Sequence, residues 1–244
     1  MNNTNIENGY EFVDLGLPSG LLWATCNVGA TSPEQAGLYF AWGHTTGYTA
    51  EQVVWREGIF TEGTYRARRI KQNLTLEQDA AHVNMGGKWR MPTQVEFQEL
   101  IDNCTSAWTD DYNGTRDKGV VFTSKTNGNS VFFPAAGCCA GFSVEEVDLC
   151  CNYWSASWND TGLAGFLNFD SERRGMYLGS RCLGFSVRGV CELEKDVPVK
   201  TDSNIIGDLM NTLSVLKDVS KEYSGRTIEN IIVQMESRIK ELKK

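Results

Sequence analysis

Residue usage changes abruptly near Val199, and this break constrains the fold more than any single motif. All seven Trp, all eight Cys, all five Pro and 22 of the 24 Gly lie before residue 200. Aromatic side chains among many glycines are typical of short strands joined by tight turns. After residue 200, apolar residues recur at helical spacing instead. The sequence therefore predicts one large domain over residues 9–191 and a helical tail over residues 200–244.

The charge pattern and the hydropathy argue against several classes of protein. The net charge is −8, and no run of Lys and Arg is longer than Arg66–Lys71. Because a nucleic-acid-binding surface usually carries a basic stripe, we expect no nucleic acid partner. No stretch approaches the roughly 18 apolar residues of a membrane span, and the N-terminus lacks the basic and apolar regions of a signal peptide. We expect no membrane insertion and a cytoplasmic protein.

Local patterns predict several strands in the first part of the chain. The segments VVFTS and SVFFP flank Thr126–Asn129, whose Asn-Gly pair favours a hairpin with a type I′ turn. Further strands are predicted over Tyr10–Leu15, through Leu21, Trp23 and Thr25 after a turn at Pro18–Gly20, over Leu163–Phe169 and over Gly184–Val190. Strand alternation puts Gly165, Leu167 and Phe169 on one face, and Phe166, Asn168 and Asp170 on the other.

Two short helices are predicted from their N-terminal signals. Thr75 with Gln78, and Thr93 with Glu96, have the spacing of a capping box, in which each side chain bonds to the backbone of the other residue. Three apolar residues after the second box recur at helical spacing and are expected to face the core: Phe97, Leu100 and Ile101.

The tail carries two apolar stripes that Gly225 separates. The first stripe consists of Ile206, Leu209, Leu213, Leu216 and Tyr223. The second consists of Ile228, Ile231, Met235, Ile239 and Leu242. Amphipathic helices of this length need a partner in water, so the two stripes predict either an intramolecular helical hairpin or an oligomerising, coiled-coil device.

The eight cysteines are expected to be reduced thiols in a chain that is not secreted. Two adjacent pairs, Cys138-Cys139 and Cys150-Cys151, raise the question of zinc. Zinc sites use spacings such as CxxC, whereas neighbours in an extended chain point to opposite faces. The default interpretation is that these thiols are small buried residues or tolerated loop residues, and no metal is predicted.

Four blocks of sequence together resemble one known family. They are Tyr10–Gly43, GGKWRMPTQVEFQELIDNC (Gly86–Cys104), NYWSASW (Asn152–Trp158) and GFSVRGV (Gly184–Val190). In order and spacing they resemble the C-type-lectin-like domain of the formylglycine-generating-enzyme type, in the form that serves as the variable protein of diversity-generating retroelements in gut bacteria and their phages. The resemblance covers residues 9–191. It implies an α+β fold with short twisted antiparallel sheets, two short helices and long loops, and it places Trp89 and Arg90 inside.

No enzyme activity and no cofactor are predicted. The two histidines, His44 and His82, cannot be paired with a nucleophile by spacing, and the chain has no Gly-rich phosphate loop, HExxH or GxSxG motif. The enzyme after which the fold is named uses a copper-binding cysteine pair. Cys182 and Cys191 flank GFSVRGV without a matching motif, so the resemblance does not extend to an oxidase activity.

One short motif leaves a metal-dependent alternative open. Trp158-Asn159-Asp160 matches the WND sequence with which sugar-binding C-type lectins hold calcium through side-chain oxygens. Those lectins add a second acidic or amide motif upstream, and none is apparent in this sequence. A calcium-dependent carbohydrate-binding lectin is therefore an alternative interpretation.

The resemblance places the recognition residues between positions 138 and 188. In retroelement variable proteins this part of the fold carries solvent-facing residues diversified at adenine-containing codons such as those of Tyr and Asn. This idea accounts for a scatter of residues that adenine-directed mutation can produce or leave: Cys138, Cys150, Cys151, Gly165, Phe166, Asn168, Asp170, Cys182 and Leu183. The predicted ligand-binding residues are Val144, Glu145, Asp148, Cys150, Asn152, Trp158, Asn159, Asp160, Phe166, Asn168, Asp170, Arg173, Arg174, Tyr177, Arg181 and Leu183.

The sequence thus predicts a non-enzymatic binding protein. The resemblance implies a variable protein that acts as a phage receptor-binding or virion-surface protein, with a host-surface protein or glycan as ligand and a location in the virion or the cytoplasm. The helical tail is expected to make it a homo-oligomer, which would add avidity to a weak single face. A structural virion or scaffold protein with a non-diversified domain is the second interpretation.

Overall fold

The computed structural model describes residues 5–55, 59–61, 70–159, 162–170, 172–192, 202–222 and 226–242. Asp160, Tyr223, Gly225 and residues 66–69 of the basic run lie outside these ranges, and so does the side chain of Ile228. The chain divides into two compact units, Met1–Leu193 and Glu194–Lys244. Each unit is described by itself.

The described part of the first unit is a mixed α+β structure of short antiparallel sheets and three short α-helices. Its strands are β1 (Ile6–Glu7), β2 (Tyr10–Asp14), β3 (Leu22–Asn27), β4 (Cys104–Thr109), β5 (Gly119–Ser124), β6 (Ser130–Pro134), β7 (Cys138–Ala140), β8 (Ser143–Glu145), β9 (Cys151–Trp158), β10 (Ala164–Phe169), β11 (Arg174–Gly179) and β12 (Arg188–Cys191). Its helices are α1 (Ala50–Trp55), α2 (Ala80–Met85) and α3 (Gln94–Asn103).

The described strands form four antiparallel sheets, and the first of these sheets joins the two ends of the unit. Their strand orders are β1-β2-β3-β12, β11-β10-β9, β4-β5-β6 and β7-β8. The predicted strands over Tyr10–Leu15 and Leu163–Phe169 are confirmed. Of the predicted strand over Gly184–Val190, only the part from Arg188 is regular. Before it, Phe185 pairs with Phe40 and Ser186 pairs with Tyr153. Successive residues thus bridge to different segments, and no continuous strand forms over this described part of the chain.

Apolar side chains fill three core clusters. The first contains Trp42, Trp89, Trp154 and Phe185. The second contains Trp23, Phe97, Phe122, Phe133 and Leu167. The third contains Tyr39, Val53, Phe60 and Cys139. Aromatic side chains contribute to all three clusters.

Backbone and indole hydrogen bonds connect blocks that are far apart in sequence. Trp42 Nε1 donates to Ser155 O at 2.8 Å. Arg90 and Val190 exchange two backbone bonds, of 3.0 and 2.8 Å. A buried indole N–H needs an acceptor, so each such bond fixes the distance between its two segments. The four blocks of the family resemblance therefore meet in one scaffold.

Arg188 is the most buried charge of the described residues, and it holds this scaffold together. Its guanidinium is 0 % exposed and lies 4.5 Å from the ring centre of Phe133. Burial lowers the pKa of Arg188, because the charged form has lost its hydration. Its N–H groups donate to four acceptors, at 2.9, 2.8, 2.6 and 2.8 Å: Asn27 Oδ1, Ala24 O, Thr25 O and Phe132 O. A rigid, five-donor fork suits such a set of carbonyls.

The predicted capping box at Thr93 and Glu96 is confirmed and begins α3. Thr93 N donates to Glu96 Oε2 at 2.7 Å, and Glu96 N donates to Thr93 Oγ1 at 3.3 Å. Phe97 and Leu100 are fully buried, and Ile101 packs against the second core cluster. The box at Thr75 is also formed, but it begins only a 3₁₀ turn. The α2 helix that follows is capped by Asp79, whose Oδ1 accepts from His82 N at 2.9 Å.

Arg90 is half-buried beside the same capping box. Its guanidinium donates to both oxygens of Glu96, at 2.6 and 2.8 Å, and to Glu192 Oε1 at 3.0 Å. Burial alone would raise the pKa of Glu96, but the hydrogen bonds and the charge of Arg90, with the N–H of Thr93, lower it below its usual value. The carboxylate partners that a buried arginine needs are thus supplied from α3 and from the end of β12.

The hairpin of β5 and β6 is confirmed, but the prediction of a type I′ turn is wrong. The strands are joined by residues 125–129, of which only Gly128 has a positive φ, and a type I′ turn needs two such residues in succession. Asn127 Nδ2 and Asn129 Nδ2 both donate to Asp14 O, at 2.9 and 2.8 Å. The loop is therefore held by β2, through contacts that the hairpin sequence does not reveal.

The second unit contains two helices, α4 (Asp202–Glu222) and α5 (Arg226–Leu242), which contact each other. Lys217 Nζ lies 2.5 Å from Glu236 Oε1 across the pair. The α4 stripe is half-buried at Ile206, Leu209, Leu213 and Leu216. In α5 the covered residues are Ile232, Met235, Ile239 and Leu242. Ile231 was predicted to face inward, but it is 41 % exposed, because Ile232 continues the three-four spacing from Met235.

Among the described residues, no helix is both long enough and apolar enough to cross a membrane.

Candidate ligand-binding face

The sheet of β9, β10 and β11 presents one packed side and one partly open side. In β10, Leu167 and Phe169 are buried in the second core cluster, whereas Phe166 and Asn168 point the other way and are only half-buried. This alternation confirms the predicted division of the strand into two faces. Register pairs Phe166 with Tyr177 of β11. We call the side that carries Phe166, Asn168 and Tyr177 the recognition face.

Aromatic packing fixes the centre of the recognition face. The ring of Phe166 lies 4.8 Å from Phe185, 5.9 Å from Trp154 and 6.1 Å from Tyr177, measured between ring centres. Tyr177 is 41 % exposed at the outer end of this row. Because its neighbour Phe166 is anchored in the first core cluster, Tyr177 offers a rigid aromatic surface to solvent.

Asn168 lies over two residues that were predicted to contact a ligand but are buried. Its Nδ2 donates to Asn152 Oδ1 at 2.9 Å, and Asn152 Nδ2 donates to Cys150 Sγ at 3.0 Å. Asn152 is 4 % exposed and Cys150 is 5 % exposed. The Cys150 thiol donates to Glu146 Oε2 at 3.2 Å, and burial with this bond raises its pKa. The prediction of direct ligand contact is therefore wrong for Asn152 and Cys150, whose polar atoms are used internally.

Arg181 is also an internal residue, contrary to the prediction that it surrounds the site. It is 3 % exposed, and its guanidinium lies 4.5 Å from the ring centre of Trp42. Three backbone oxygens accept from it, at 3.0, 2.9 and 3.3 Å: Leu163 O, Ile70 O and Asn159 O. Arg181 connects the loop after β9 to the start of β10, so it supports the face from behind.

The residues of the WND motif lie at the end of β9. Trp158 is half-buried against the first core cluster, and its backbone N–H donates to Asn73 Oδ1 at 2.9 Å. Asn159 is half-buried, and Asp160 lies outside the described residues. In the part of the chain that the structure describes, no group of three or more His, Cys, Asp or Glu is placed to hold a metal ion. Leu183 is half-buried against the same cluster as Trp158.

A charged turn connects β10 to β11. Asp170 Oδ1 accepts from Glu172 N at 2.7 Å and from Arg173 N at 2.5 Å. Burial opposes ionisation of Asp170, but these backbone bonds and the nearby Arg173 charge outweigh it and lower its pKa. Asp170 therefore shapes the turn, whereas Arg173 and Arg174 are exposed and available to a ligand.

The hairpin of β7 and β8 contributes the remaining predicted residues. Val144 packs against the third core cluster and is half-buried. Glu145 is exposed, and its Oε1 accepts from Ser143 Oγ at 2.6 Å. Asp148 is exposed in a loop where it has a φ of +63° and Glu146 has a φ of +58°. Non-glycine residues adopt this conformation rarely, so the loop between β8 and β9 has a defined and slightly strained shape.

The cysteines and Gly165 do not behave as the predicted exposed positions. Cys151 is fully buried in the second core cluster, and Cys182 is 8 % exposed. A Cβ on Gly165 would lie 2.7 Å from the Gln94 side chain of α3, so a larger residue at this position would displace that side chain. Cys138 is half-buried, and burial raises its pKa to about 11. Adjacent cysteines enter different surroundings, as expected for an extended chain.

Sequence reasoning missed several exposed apolar residues. Trp55, the last residue of α1, is 80 % exposed, and Phe142 is 55 % exposed in the β7–β8 turn. Leu178 of β11 is 42 % exposed beside Tyr177. No local signal distinguishes these residues from core residues, because strand and helix periodicity assigns large apolar side chains to the interior.

Two clefts lie away from the recognition face. One, of about 290 Å³, is lined by residues of β2 and β3 with α2, including Tyr10, Thr25, Cys26 and Met85. The other, of about 90 Å³, includes Asp148 among its lining residues.

No family model, curated protein or solved structure matches this chain.

Proposed function

We propose that this protein is a non-enzymatic ligand-binding protein whose first unit is a C-type-lectin-like domain. The four sequence blocks that resemble this family supply the residues that interlock the scaffold, including Trp42, Arg90, Trp154 and Arg188. A chain that uses these blocks for packing has its remaining surface residues free for recognition.

One observation carries the proposal: alternate residues of β10 and β11 lie on a partly open side of the sheet, while β10 is packed into the core on its reverse side. Leu167 and Phe169 hold the strand in the core, while Phe166, Asn168 and Tyr177 form the recognition face. Aromatic and amide side chains on a rigid support are typical of binding surfaces. The proposed contact residues are Glu145, Asp148, Trp158, Phe166, Asn168, Arg173, Arg174 and Tyr177.

The specific form that we propose is a variable protein of a diversity-generating retroelement, acting as a receptor-binding or surface protein of a phage virion. Its ligand would be a protein or a glycan on a host cell. This form is supported by the resemblance and by the alternation in β10, which puts the buried Leu167 and Phe169 on one side of the strand and the half-buried Phe166 and Asn168 on the other.

Resequencing of the coding DNA for residues 138–188, in a population grown from one clone, tests the proposal. We expect substitutions at the codons of Phe166, Asn168 and Tyr177, and none at those of Leu167 and Phe169. A uniform segment would contradict active diversification and favour a structural virion or scaffold protein. Changes spread equally over packed and open positions would contradict the assignment of the recognition face.

The second unit is proposed to assemble copies of the protein. Of its described stripe residues, Ile239 is 8 % exposed and Ile231 is 41 % exposed, and the others are half-buried. Two helices alone cannot cover both sides of their seam, so pairing with the same stripe of other copies would remove more apolar surface from water. A homo-oligomer would then combine several weak recognition faces.

A further inference from the structure

β11 is an edge strand with a neighbour on one side only. The sheet order is β11-β10-β9, so β10 pairs with β11 along its inner side. In the ranges that the structure describes, no backbone group pairs with the outer side of β11. Edge strands with unpaired N–H and C=O groups are templates for a further strand.

The register identifies which backbone groups are free. Asp170 N donates to Arg173 O at 3.1 Å, so Asp170 and Arg173 form a hydrogen-bonded pair of the ladder between β10 and β11. In an antiparallel ladder bonded and non-bonded pairs alternate, and the register continues from this pair through Asn168 with Gly175 to Phe166 with Tyr177. The N–H and C=O groups of Arg174, Met176 and Leu178 therefore point to the outer edge.

We propose that this outer edge binds an extended polypeptide segment of the ligand as a fourth strand of the sheet. The inference rests on the proposed function and specifies its ligand class. Three donors and three acceptors at alternate residues are the chemistry that recognises an extended backbone, and no single sugar reproduces their spacing.

β11 has few of the features with which proteins protect an edge, and its one charged residue is Arg174. It contains no Pro and no Lys, and it runs for six residues. Its one irregular residue is Gly175, with a φ of +144°, and a Cβ placed there would meet nothing within 4 Å. The open space beside Gly175 leaves room for a side chain of the added strand.

The side chains of β11 define which segment fits best. Arg174 is exposed and forms no ion pair with the described part of the chain, so an acidic residue opposite Arg174 would complement it. Leu178 is on the same side of the strand and is 42 % exposed, so it favours an apolar residue. On the other side, the added strand would place a side chain beside Tyr177. The edge and the recognition face would then act on the same ligand.

A selected peptide provides the test. Dodecapeptides from a random library are selected on the full chain, and their affinities are measured for Leu178→Pro and for Leu178→Thr. Proline removes the outward N–H without touching the ladder to β10, whereas threonine keeps this N–H and removes the apolar side chain. We expect at least a tenfold loss of affinity with proline and less than a threefold loss with threonine, with unchanged tryptophan fluorescence of both variants.

N-methylation of the selected peptides identifies backbone pairing directly. Two methylated peptides are compared, one with N-methyl groups at the odd residues and one with them at the even residues. Strand addition requires that one of the two no longer binds, because its N–H groups faced β11, and that the other still binds. Equal binding to Leu178→Pro, insensitivity to N-methylation, or failure to select any peptide would overturn the inference. Self-association that Leu178→Pro removes would also overturn it, since the occupant would be a second copy.

The experiments distinguish a failure of the edge-strand inference from a failure of the proposed function. A chain that binds a glycan array through Tyr177, but no peptide, contradicts the edge inference and leaves the proposed function standing. A chain whose selected peptides lose affinity with Tyr177→Ala, and not with Leu178→Pro, also keeps the proposed function.

Discussion

Replacement of Arg188 by Met removes the buried guanidinium that joins β3, β6 and β12. Four oxygens would lose their donor, and each buried acceptor left unpaired costs about 1–3 kcal/mol. Relief of the desolvated charge offsets part of this loss, since Arg188 has no carboxylate partner among these acceptors. We expect the free energy of unfolding of the first unit to fall by about 4 kcal/mol, within the usual range for a broken buried charge network.

Urea unfolding followed by tryptophan fluorescence measures this change in the first unit alone, because all seven Trp lie before residue 200. The corresponding decrease in Tm is about 8–16 °C for a domain of this size. Arg174→Met is the matched control, since Arg174 is exposed and its replacement should change stability by less than about 0.5 kcal/mol. A loss below about 1 kcal/mol for Arg188→Met would refute the argument that these four bonds hold the scaffold.

Three further predictions concern pH, thiol reactivity and the tail. Glu96→Gln should cost about 2 kcal/mol at neutral pH, because it removes the bidentate arginine pair. Since the pKa of Glu96 is lowered by folding, Glu96 stabilises the folded state above the ordinary carboxyl pKa and loses this effect as the pH falls. In unfolding curves, the difference in unfolding free energy between Glu96→Gln and the wild type should therefore decrease progressively below about pH 4. In a titration with a chromogenic disulfide at about pH 8, Cys26 and Cys138 should react before the six buried thiols. Cys138 should still react slowly, because a pKa of about 11 leaves about one thiolate in a thousand at this pH. Equal rates for all eight thiols would refute the packing. Ile239→Asp should reduce helicity and oligomer mass in circular dichroism and sedimentation, whereas Val233→Asp at an exposed position should not, and equal effects would contradict the seam.

Features set by neighbouring residues could be predicted from the sequence. The capping box of Thr93 and Glu96 involves only one turn of chain, and the alternation of Leu167 with Phe166 in β10 follows from strand geometry. The half-buried stripe of α4 likewise follows from helical periodicity. The mixed α+β class was correct for the same reason, since the number and length of elements depend on local signals.

Features set by distant partners could not be predicted. Arg181 and Asn152 are polar residues, and acceptors in other segments, such as Ile70 O for Arg181 and Gly137 O for Asn152, hold them inside. The turn at Asn127 was predicted from its two central residues, but Asp14, more than a hundred residues away, decides its shape. Exposure of Leu178 depends on β11 being an edge strand, and strand order is not encoded in the strand itself.

During synthesis from the N-terminus, β3 is made long before β12, a strand with which it pairs. Register joins Trp23 of β3 to Val190 of β12, so the first sheet cannot close before almost the whole unit has left the ribosome. Contacts between such distant residues carry the cost of loop closure before they stabilise anything, and this places the unit among slowly folding proteins. Until then β3 offers an unpaired edge to other nascent chains. We therefore expect the pairing that secures the finished scaffold to expose the growing chain to association with other nascent chains until β12 has been made.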